Sequence, residues 1–251
     1  MLINSPLEQF EIHSIIPIAI NSLGINISFT NSSLFMVLAV MTVSAVIIFS
    51  TTNATFVPGR WQSFVEEVYE FVYNILIESV GPKGLKYFPL IFSIFTFILS
   101  CNLLGMIPYS FTVTSHLVVT LGLGLSIFIG ITIIGFLEHG FHYFSLLVPQ
   151  GVAKPMVPVL VAIETIGYIV KPFSLSIRLF ANMMAGHTLL KIIAGFSWSM
   201  FGIGGIFYAL GIIPLLLLFV LVGLEIAIAC IQAYVFTLLI CSFLADAIHL
   251  H

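Results

Sequence analysis

Two uninterrupted apolar stretches dominate the C-terminal half of the chain, from Met156 to about Phe196 and from Ile206 to Ile248. Each runs for about forty residues without a loop-like break, and a helix of that length reaches about 60 Å at about 1.5 Å per residue. The hydrocarbon core of a bilayer is only about 30 Å thick, so each stretch predicts either two helices or one strongly tilted helix. Polar residues lie in the middle of the first stretch rather than at a turn. We therefore expect two long, steeply tilted helices that form a hairpin through Ser197 to Gly205.

The composition agrees with a protein that lies mostly in lipid. Of the 251 residues, 60% are apolar and 7% are charged, and the mean hydropathy is +1.22. Soluble proteins carry about 25% charged residues, so a soluble enzyme and a disordered linker are excluded. The net charge of −3 also excludes a nucleic-acid-binding protein, because phosphates are bound by excess Lys and Arg. The three cysteines lie in apolar runs without metal-ligand spacing, which predicts neither disulfides nor a zinc site.

These patterns predict an all-α, polytopic membrane protein with a single integral-membrane domain. Residues 59–80 differ from the rest because apolar side chains recur at helical spacing with four glutamates between them. That pattern is typical of an amphipathic helix that lies along a membrane surface. In chain order, the expected segments are an N-terminal segment (1–31), a first span (32–57), the amphipathic helix (59–80), a helical hairpin (87–138), a loop (139–155) and the long hairpin (156–251).

The first long stretch contains charged and polar residues where a membrane span is normally apolar. Charge inside a span is costly and by default functional, most often on an ion or proton path. At about 100° per residue, Lys171 lies about 20° and Glu164 about 40° from Arg178 around a helix, so the three share one face. Asn182 lies near that face one turn later. An arginine midway along an apolar helix requires a counter-charge.

His187 and the second stretch supply a different polar group. His187 follows Arg178 by nine residues, which places it on the opposite side of a helix and about 13 Å further along its axis. This arrangement suits two polar pockets that do not communicate directly. On the second stretch Glu225 and Gln232 share a face because they are seven residues apart. In the expected hairpin Glu225 approaches His187, and a histidine with a pKa of about 6.5 beside a carboxylate is a natural proton relay.

Simpler interpretations stay open for several of these side chains. Lys171 and Lys191 can extend their ammonium groups toward lipid headgroups. Glu164 can be a structural partner of Lys171, and Asn102 can cap the end of a span. A secondary transporter also places charges near the midplane, but it usually has an internal repeat, which this sequence lacks. A membrane haem protein requires paired histidines within spans, whereas only His187 lies well inside one.

Several motifs resemble subunit a of F-type ATP synthases, in its mitochondrial form. The most specific motif runs from Lys171 to His187 and contains Arg-Leu-Phe-Ala-Asn-Met from Arg178 onward. Other parts of the chain resemble the same family, namely Ser5–Ile12 at the start, Asn102–Tyr109 in an earlier span, and Glu225–Phe236 with Asp246–His251 in the last helix. The similarity covers nearly the whole chain.

The resemblance implies a proton-translocating stator subunit of the rotary ATP synthase, in the mitochondrial inner membrane, with two offset half-channels. Arg178 would face the essential carboxylate of each passing c-ring subunit, with Asn182, Gln232 and Lys171 in support. The resemblance assigns to the half-channel open to the intermembrane space His187, Glu225, Asp246 and His249. It assigns to the matrix half-channel Glu164 and Asn102.

The same resemblance implies which partners and ligands to expect. The partners are the c-ring, the peripheral stalk and other membrane subunits of the FO sector, and membrane lipids, with no nucleic acid. No cofactor or metal is expected. ATP chemistry belongs to a separate soluble head, and the chain has no phosphate-binding GxxxxGK[ST] motif.

Overall fold

The computed structural model describes residues 5, 7–17, 19–20, 25–26, 28–52, 54–107, 110–147 and 156–249. The α-helices of this part are α1 (Asn31–Thr51), α2 (Arg60–Val80), α3 (Phe88–Gly105), α4 (Leu117–His139), α5 (Val157–Ile203), α6 (Ile206–Leu210) and α7 (Ile212–Ile248). Short 3-10 helices cover Glu8–Phe10, Pro82–Tyr87, Val113–Ser115 and Gly140–Leu147. Some positions of the predicted motifs and segments lie outside the described residues, namely Pro6, Pro108, Tyr109, residues 148–155 of the expected loop, and the two residues after His249.

Five helical segments of the described chain are long and apolar enough to cross a membrane. A helix suits that environment because it satisfies its backbone N–H and C=O groups internally. This confirms the prediction of an all-α, polytopic membrane protein. The five segments are Asn31–Thr51, Pro82–Gly105, Leu117–Phe144, Val157–Ile203 and Phe207–Ile248.

The N-terminal segment contains two small antiparallel pairs of strands, which the sequence did not predict. Strand β1 (Ser14–Ile16) pairs with β4 (Phe29–Thr30), and β2 (Ala19–Ile20) pairs with β3 (Ile25–Asn26). Asn31 holds the outer pair against the start of α1. Its side-chain oxygen accepts from the backbone N–H of His13 at 3.3 Å, and its amide donates to the carbonyl of Glu11 at 3.1 Å.

The connection between the two long helices begins later in the chain than expected and contains the short helix α6. We predicted a connection from Ser197 to Gly205, but α5 continues for 47 residues and ends at Ile203. The helix stops there because Gly204 and Gly205 adopt φ angles of +76° and +64°, a left-handed conformation that glycine adopts readily and other residues rarely do. Ser197 is therefore helical, and its hydroxyl donates to the carbonyl of Gly211 at 2.9 Å.

The chain divides into two compact units, and both long helices contribute to each of them. Unit 1 consists of Met1–Thr42, Ile98–His116 and Leu179–Gln232, and unit 2 consists of Val43–Phe97, Leu117–Arg178 and Ala233–His251. Unit 1 therefore holds the C-terminal part of α5 and the N-terminal part of α7. Unit 2 holds the opposite ends of the same two helices.

In unit 2, α2 buries only one part of the apolar stripe seen in the sequence. The side chains of Val72, Ile75, Leu76 and Val80 are buried. Earlier in the helix Trp61 and Phe64 are exposed, as are the glutamates between them and the end of the helix. This separation of faces fits an amphipathic helix, and its position along a membrane surface stays a prediction.

Also in unit 2, α4 approaches α5 closely at one glycine. A Cβ atom placed on Gly124 would overlap the hydroxyl of Ser176, so the absence of a side chain lets the helices meet there. The Ser176 hydroxyl donates back to the carbonyl of Pro172 at 2.8 Å. This hydrogen bond lies within α5, at the turn where a proline interrupts the series of backbone hydrogen bonds.

Candidate functional site

The centre of the site in unit 1 is a buried histidine and glutamate on the two long helices. Nε2 of His187 on α5 lies 3.7 Å from Oε1 of Glu225 on α7, and the two side chains are 14% and 6% exposed. The expected approach of these two residues is thus confirmed. Burial makes an isolated negative charge on Glu225 costly, and a protonated His187 at this distance compensates it.

The segment between α3 and α4 adds a hydroxyl to this pair. Thr112 is buried, and its Oγ1 lies 3.2 Å from Nε2 of His187. The same hydroxyl reaches the carbonyl of Gly105 at 3.5 Å. Thr112 was not among the predicted site residues, although the hydroxyl-rich run from Ser110 to Ser115 between two spans is a signal that could have indicated it.

Asn102 lies in the same unit, fully buried on α3. Its side-chain Nδ2 donates to the carbonyl of Ala229 at 3.2 Å, one turn of α7 beyond Glu225. The resemblance had grouped Asn102 with Glu164, which is an exposed residue of unit 2. The structure thus brings Asn102 close to the turn that carries Glu225.

Unit 2 contains a second polar group at the other ends of the long helices. Nζ of Lys171 lies 3.3 Å from Oδ2 of Asp246 and 5.2 Å from the centre of the Phe243 ring. His249 is bound separately, with Nε2 at 2.9 Å from the carbonyl of Val80. The partner of Lys171 is therefore Asp246, and within the described chain the expected alternative pair with Glu164 does not form a salt bridge.

Arg178, the last residue of α5 that belongs to unit 2, is exposed. Its neighbours on α5 differ in solvent exposure: Leu175 and Leu179 are buried, whereas Ile177 is exposed. Asn182 and Gln232 are half-buried residues of unit 1. Across the described ranges, the Arg178 guanidinium forms no salt bridge within the chain.

The comparison with known proteins decides the family. The family model described as ATP synthase A chain matches residues 33–245, which is most of the chain. The chain belongs to this family. Its ATP synthase subunit a relatives include that of Marchantia polymorpha, which is 55% identical over 251 residues and covers 98% of this chain and 99% of the relative.

Two further relatives show that the likeness to ATP synthase subunit a extends from end to end. The subunit from Chondrus crispus is 54% identical over 250 residues, covering 100% of this chain and 98% of the relative. The subunit from Rhizobium etli is 48% identical over 246 residues, covering 98% of each chain. These matches confirm the family predicted from the motifs, and with the five apolar spans they identify a multi-pass membrane subunit of the ATP synthase A chain family.

Gly186 is a second residue that the sequence analysis missed in this subunit. A Cβ atom at Gly186 would lie 2.5 Å from Oε1 of Glu225 and 2.9 Å from its Cδ. Real Cβ atoms do not come so close, so glycine lets the carboxyl group of α7 rest against the backbone of α5. The glycine directly before His187 was visible in the sequence, but its contact depends on how the two helices pack.

We expect Gly186→Ala to slow ATP synthesis about tenfold, because the added methyl group displaces Glu225 from His187. Small misplacements of reacting groups lower reaction rates by about this factor or more. The rate is measured with the assembled ATP synthase in sealed vesicles, per amount of complex. Gly195→Ala is the matched control on the same helix, since a Cβ atom there meets nothing within 4 Å. Equal rates for the two variants would contradict the proposed importance of the close contact.

Proposed function

We propose that this chain is the proton-conducting stator subunit of an ATP synthase, and that the His187–Glu225 pair forms part of its path for protons. The observation that carries the proposal is the 3.7 Å approach of these two titratable groups inside helices long and apolar enough to cross a membrane. Buried titratable groups within membrane spans mark proton paths by default. The names of the relatives supply the coupled reaction, ATP synthesis.

Proton transfer within the pair is a balanced exchange. A protonated imidazole gives the proton on Nε2 to the carboxylate of Glu225, which leaves a neutral imidazole and a neutral carboxyl group. The 3.7 Å separation exceeds a hydrogen bond, so the transfer proceeds through one water or after a small side-chain movement. Both modes are ordinary in general acid–base chemistry.

Arg178 performs a different task in this proposal. Its guanidinium carries a delocalised positive charge and is exposed. Facing a carboxylate of a partner ring in a medium of low dielectric, it favours the ionised form and so releases the proton. It also repels protons that would otherwise leak directly between two half-channels. The partner is the c-ring, and each charge that crosses the potential provides about 2.3 kcal/mol per 100 mV.

The remaining residues are grouped by the unit in which they lie. The family resemblance alone placed Asp246 and His249 with His187, and Asn102 with Glu164. Because Asn102 shares unit 1 with Glu225, we propose that it belongs to the path open to the intermembrane space. Asp246 and His249 share unit 2 with Glu164, and we propose that they belong to the matrix path.

The other roles follow the family resemblance. Lys171 is a structural partner of Asp246. Asn182 follows Arg178 by about one turn of α5, Gln232 lies on α7, and the support that both give to Arg178 is carried over from the family. The proposed location is the mitochondrial inner membrane, and the proposed partners besides the c-ring are the peripheral stalk, the other FO subunits and lipids.

The proposal is tested with the whole ATP synthase in sealed vesicles free of sodium. We expect an imposed proton gradient and potential to drive ATP synthesis, and a protonophore to abolish it. Synthesis that requires sodium ions, or that continues after the proton gradient has collapsed, would overturn the proposal. The control is ATP hydrolysis by the detached soluble head, which should be the same under all these conditions.

A further inference from the structure

We propose that Thr112 is a positioning residue that binds Nε2 of His187 in both protonation states of the ring and so keeps that nitrogen directed at Glu225. The inference rests on the proposed function, in which His187 exchanges protons. It assigns a role to the segment between α3 and α4, whose contribution the motifs did not indicate.

The hydrogen-bonding capacity of a threonine hydroxyl carries this inference. A hydroxyl has one proton to donate and lone pairs with which to accept. When Nε2 of His187 is unprotonated, Thr112 donates to it across the 3.2 Å separation. When Nε2 carries a proton, the Thr112 oxygen accepts a hydrogen bond from this N–H, until the proton passes to Glu225. In that state Thr112 turns its own hydroxyl proton toward the carbonyl of Gly105, at 3.5 Å. Nε2 therefore keeps a partner throughout the cycle.

The position of Nε2 explains why this partner matters. The same nitrogen faces Thr112 at 3.2 Å and Glu225 at 3.7 Å, so it is the atom through which His187 reaches both groups. A histidine ring is free to rotate about its side-chain bonds unless another group holds it. The shorter contact with Thr112 fixes the ring with Nε2 on the side of the carboxyl group.

Thr112 is itself held by a local network. The hydroxyl of Ser115 donates to the carbonyl of Thr112 at 2.6 Å, and the hydroxyl of Ser110 donates to the carbonyls of Leu104 and Gly105 at 2.6 and 3.0 Å. Gly105 has no side chain to obstruct the threonine, since a Cβ atom there would lie 2.8 Å from Cγ2 of Thr112. The backbone and the methyl group are both fixed, which leaves the hydroxyl proton as the adjustable element.

Aromatic packing fixes the same segment on its other side. The ring of Phe111 lies 5.0 Å from that of His116 and 6.2 Å from that of Phe35 on α1. His116 lies between the spans rather than inside one, and burial lowers its pKa. Burial therefore disfavours a positive charge on His116, which packs against Phe111 through its ring.

A matched control lies two residues away. Thr114 is buried like Thr112, but within the described residues its hydroxyl has no hydrogen-bond partner. Thr112→Val and Thr114→Val therefore make the same chemical change at neighbouring buried sites, and only the first removes a contact with His187. Thr112→Ser keeps the hydroxyl and removes only a methyl group.

The experiment measures proton-driven ATP synthesis by the whole complex in vesicles, per amount of assembled enzyme. We expect Thr112→Val to be about tenfold slower, as for the loss of one hydrogen bond. Thr112→Ser and Thr114→Val should stay close to the parent rate. Thr112→Ala, which adds no bulk, replaces the valine variant if that variant assembles poorly, and it should be equally slow.

Two results would overturn the role of Thr112. One is a valine or alanine variant as fast as Thr114→Val, and the other is a serine variant as slow as valine. Failure of the proposed function itself has a different signature, because the parent complex would then show no proton-driven synthesis, or Glu225→Gln would match the parent rate.

Discussion

Replacing Arg178 with alanine is expected to reduce proton-driven ATP synthesis by roughly 10²–10³-fold, the usual effect of removing a group that stabilises a developing charge in a site of low dielectric. The physical reason is that nothing then favours the ionised form of a ring carboxylate as it passes. That carboxylate keeps its proton, and rotation no longer has a direction set by the proton gradient. The measurement is ATP synthesis by the intact complex in vesicles with an imposed gradient.

The position of Arg178 makes this variant informative. The side chain is exposed, so its removal leaves no cavity in the packed interior of either unit. The complex should therefore assemble, and the soluble head should hydrolyse ATP as before. Arg60→Ala is the matched control, because Arg60 is the other arginine of the chain and is also exposed, at the start of α2. Its synthesis rate should stay near that of the parent.

The Arg178→Lys variant tests whether a positive charge at this position is sufficient or whether the planar shape of the guanidinium is also required. Lysine keeps a positive charge but replaces the planar fork of five donors with a single ammonium group. We expect Arg178→Lys to remain strongly impaired, because a ring carboxylate is met at varying angles during rotation. Coupled synthesis at the parent rate in either the alanine or the lysine variant would contradict the role proposed for the guanidinium.

The large features of the fold could be predicted because they depend on local composition. Spans appear as long apolar runs, and α2 appears as an alternation of glutamates and apolar residues at helical spacing. The predicted turn at Ser197 is too early, because a single polar side chain does not end a helix and α5 continues to Ile203. The two glycines at 204 and 205 stop the helix, since their backbone adopts positive φ angles that glycine tolerates readily.

Only those parts of the site could be predicted that depend on a single helix or on the packing of two helices in a hairpin. His187 and Glu225 were brought together by antiparallel packing of two long helices, which sequence lengths already indicated. The pairing of Lys171 with Asp246 was not predicted, because a same-helix partner seven residues away was the only neighbour visible in the sequence. Thr112 and Gly186 were missed for a related reason, since each acts through a contact between segments far apart in the chain.

Replacing Glu225 with glutamine is the second change for which we expect a large loss, roughly 10²-fold in proton-driven synthesis, as when a general acid or base is removed. Glutamine has nearly the same shape as glutamate, so the close contact with Gly186 is kept. It cannot bind and release a proton, however, and His187 loses the group to which it gives its proton. The rate is measured per amount of assembled complex in sealed vesicles.

Two further variants test whether the lower rate of synthesis is caused by losing the proton-binding group at position 225 or by removing a carboxylate anywhere in the chain. Glu78→Gln makes the same change at an exposed position of α2 and should leave the rate unaltered. Glu225→Asp keeps a carboxyl group but shortens its reach to Nε2 of His187, which is already 3.7 Å away in the parent. It should therefore fall between the parent and the glutamine variant. If glutamine supports the parent rate, protons do not pass through this carboxyl group.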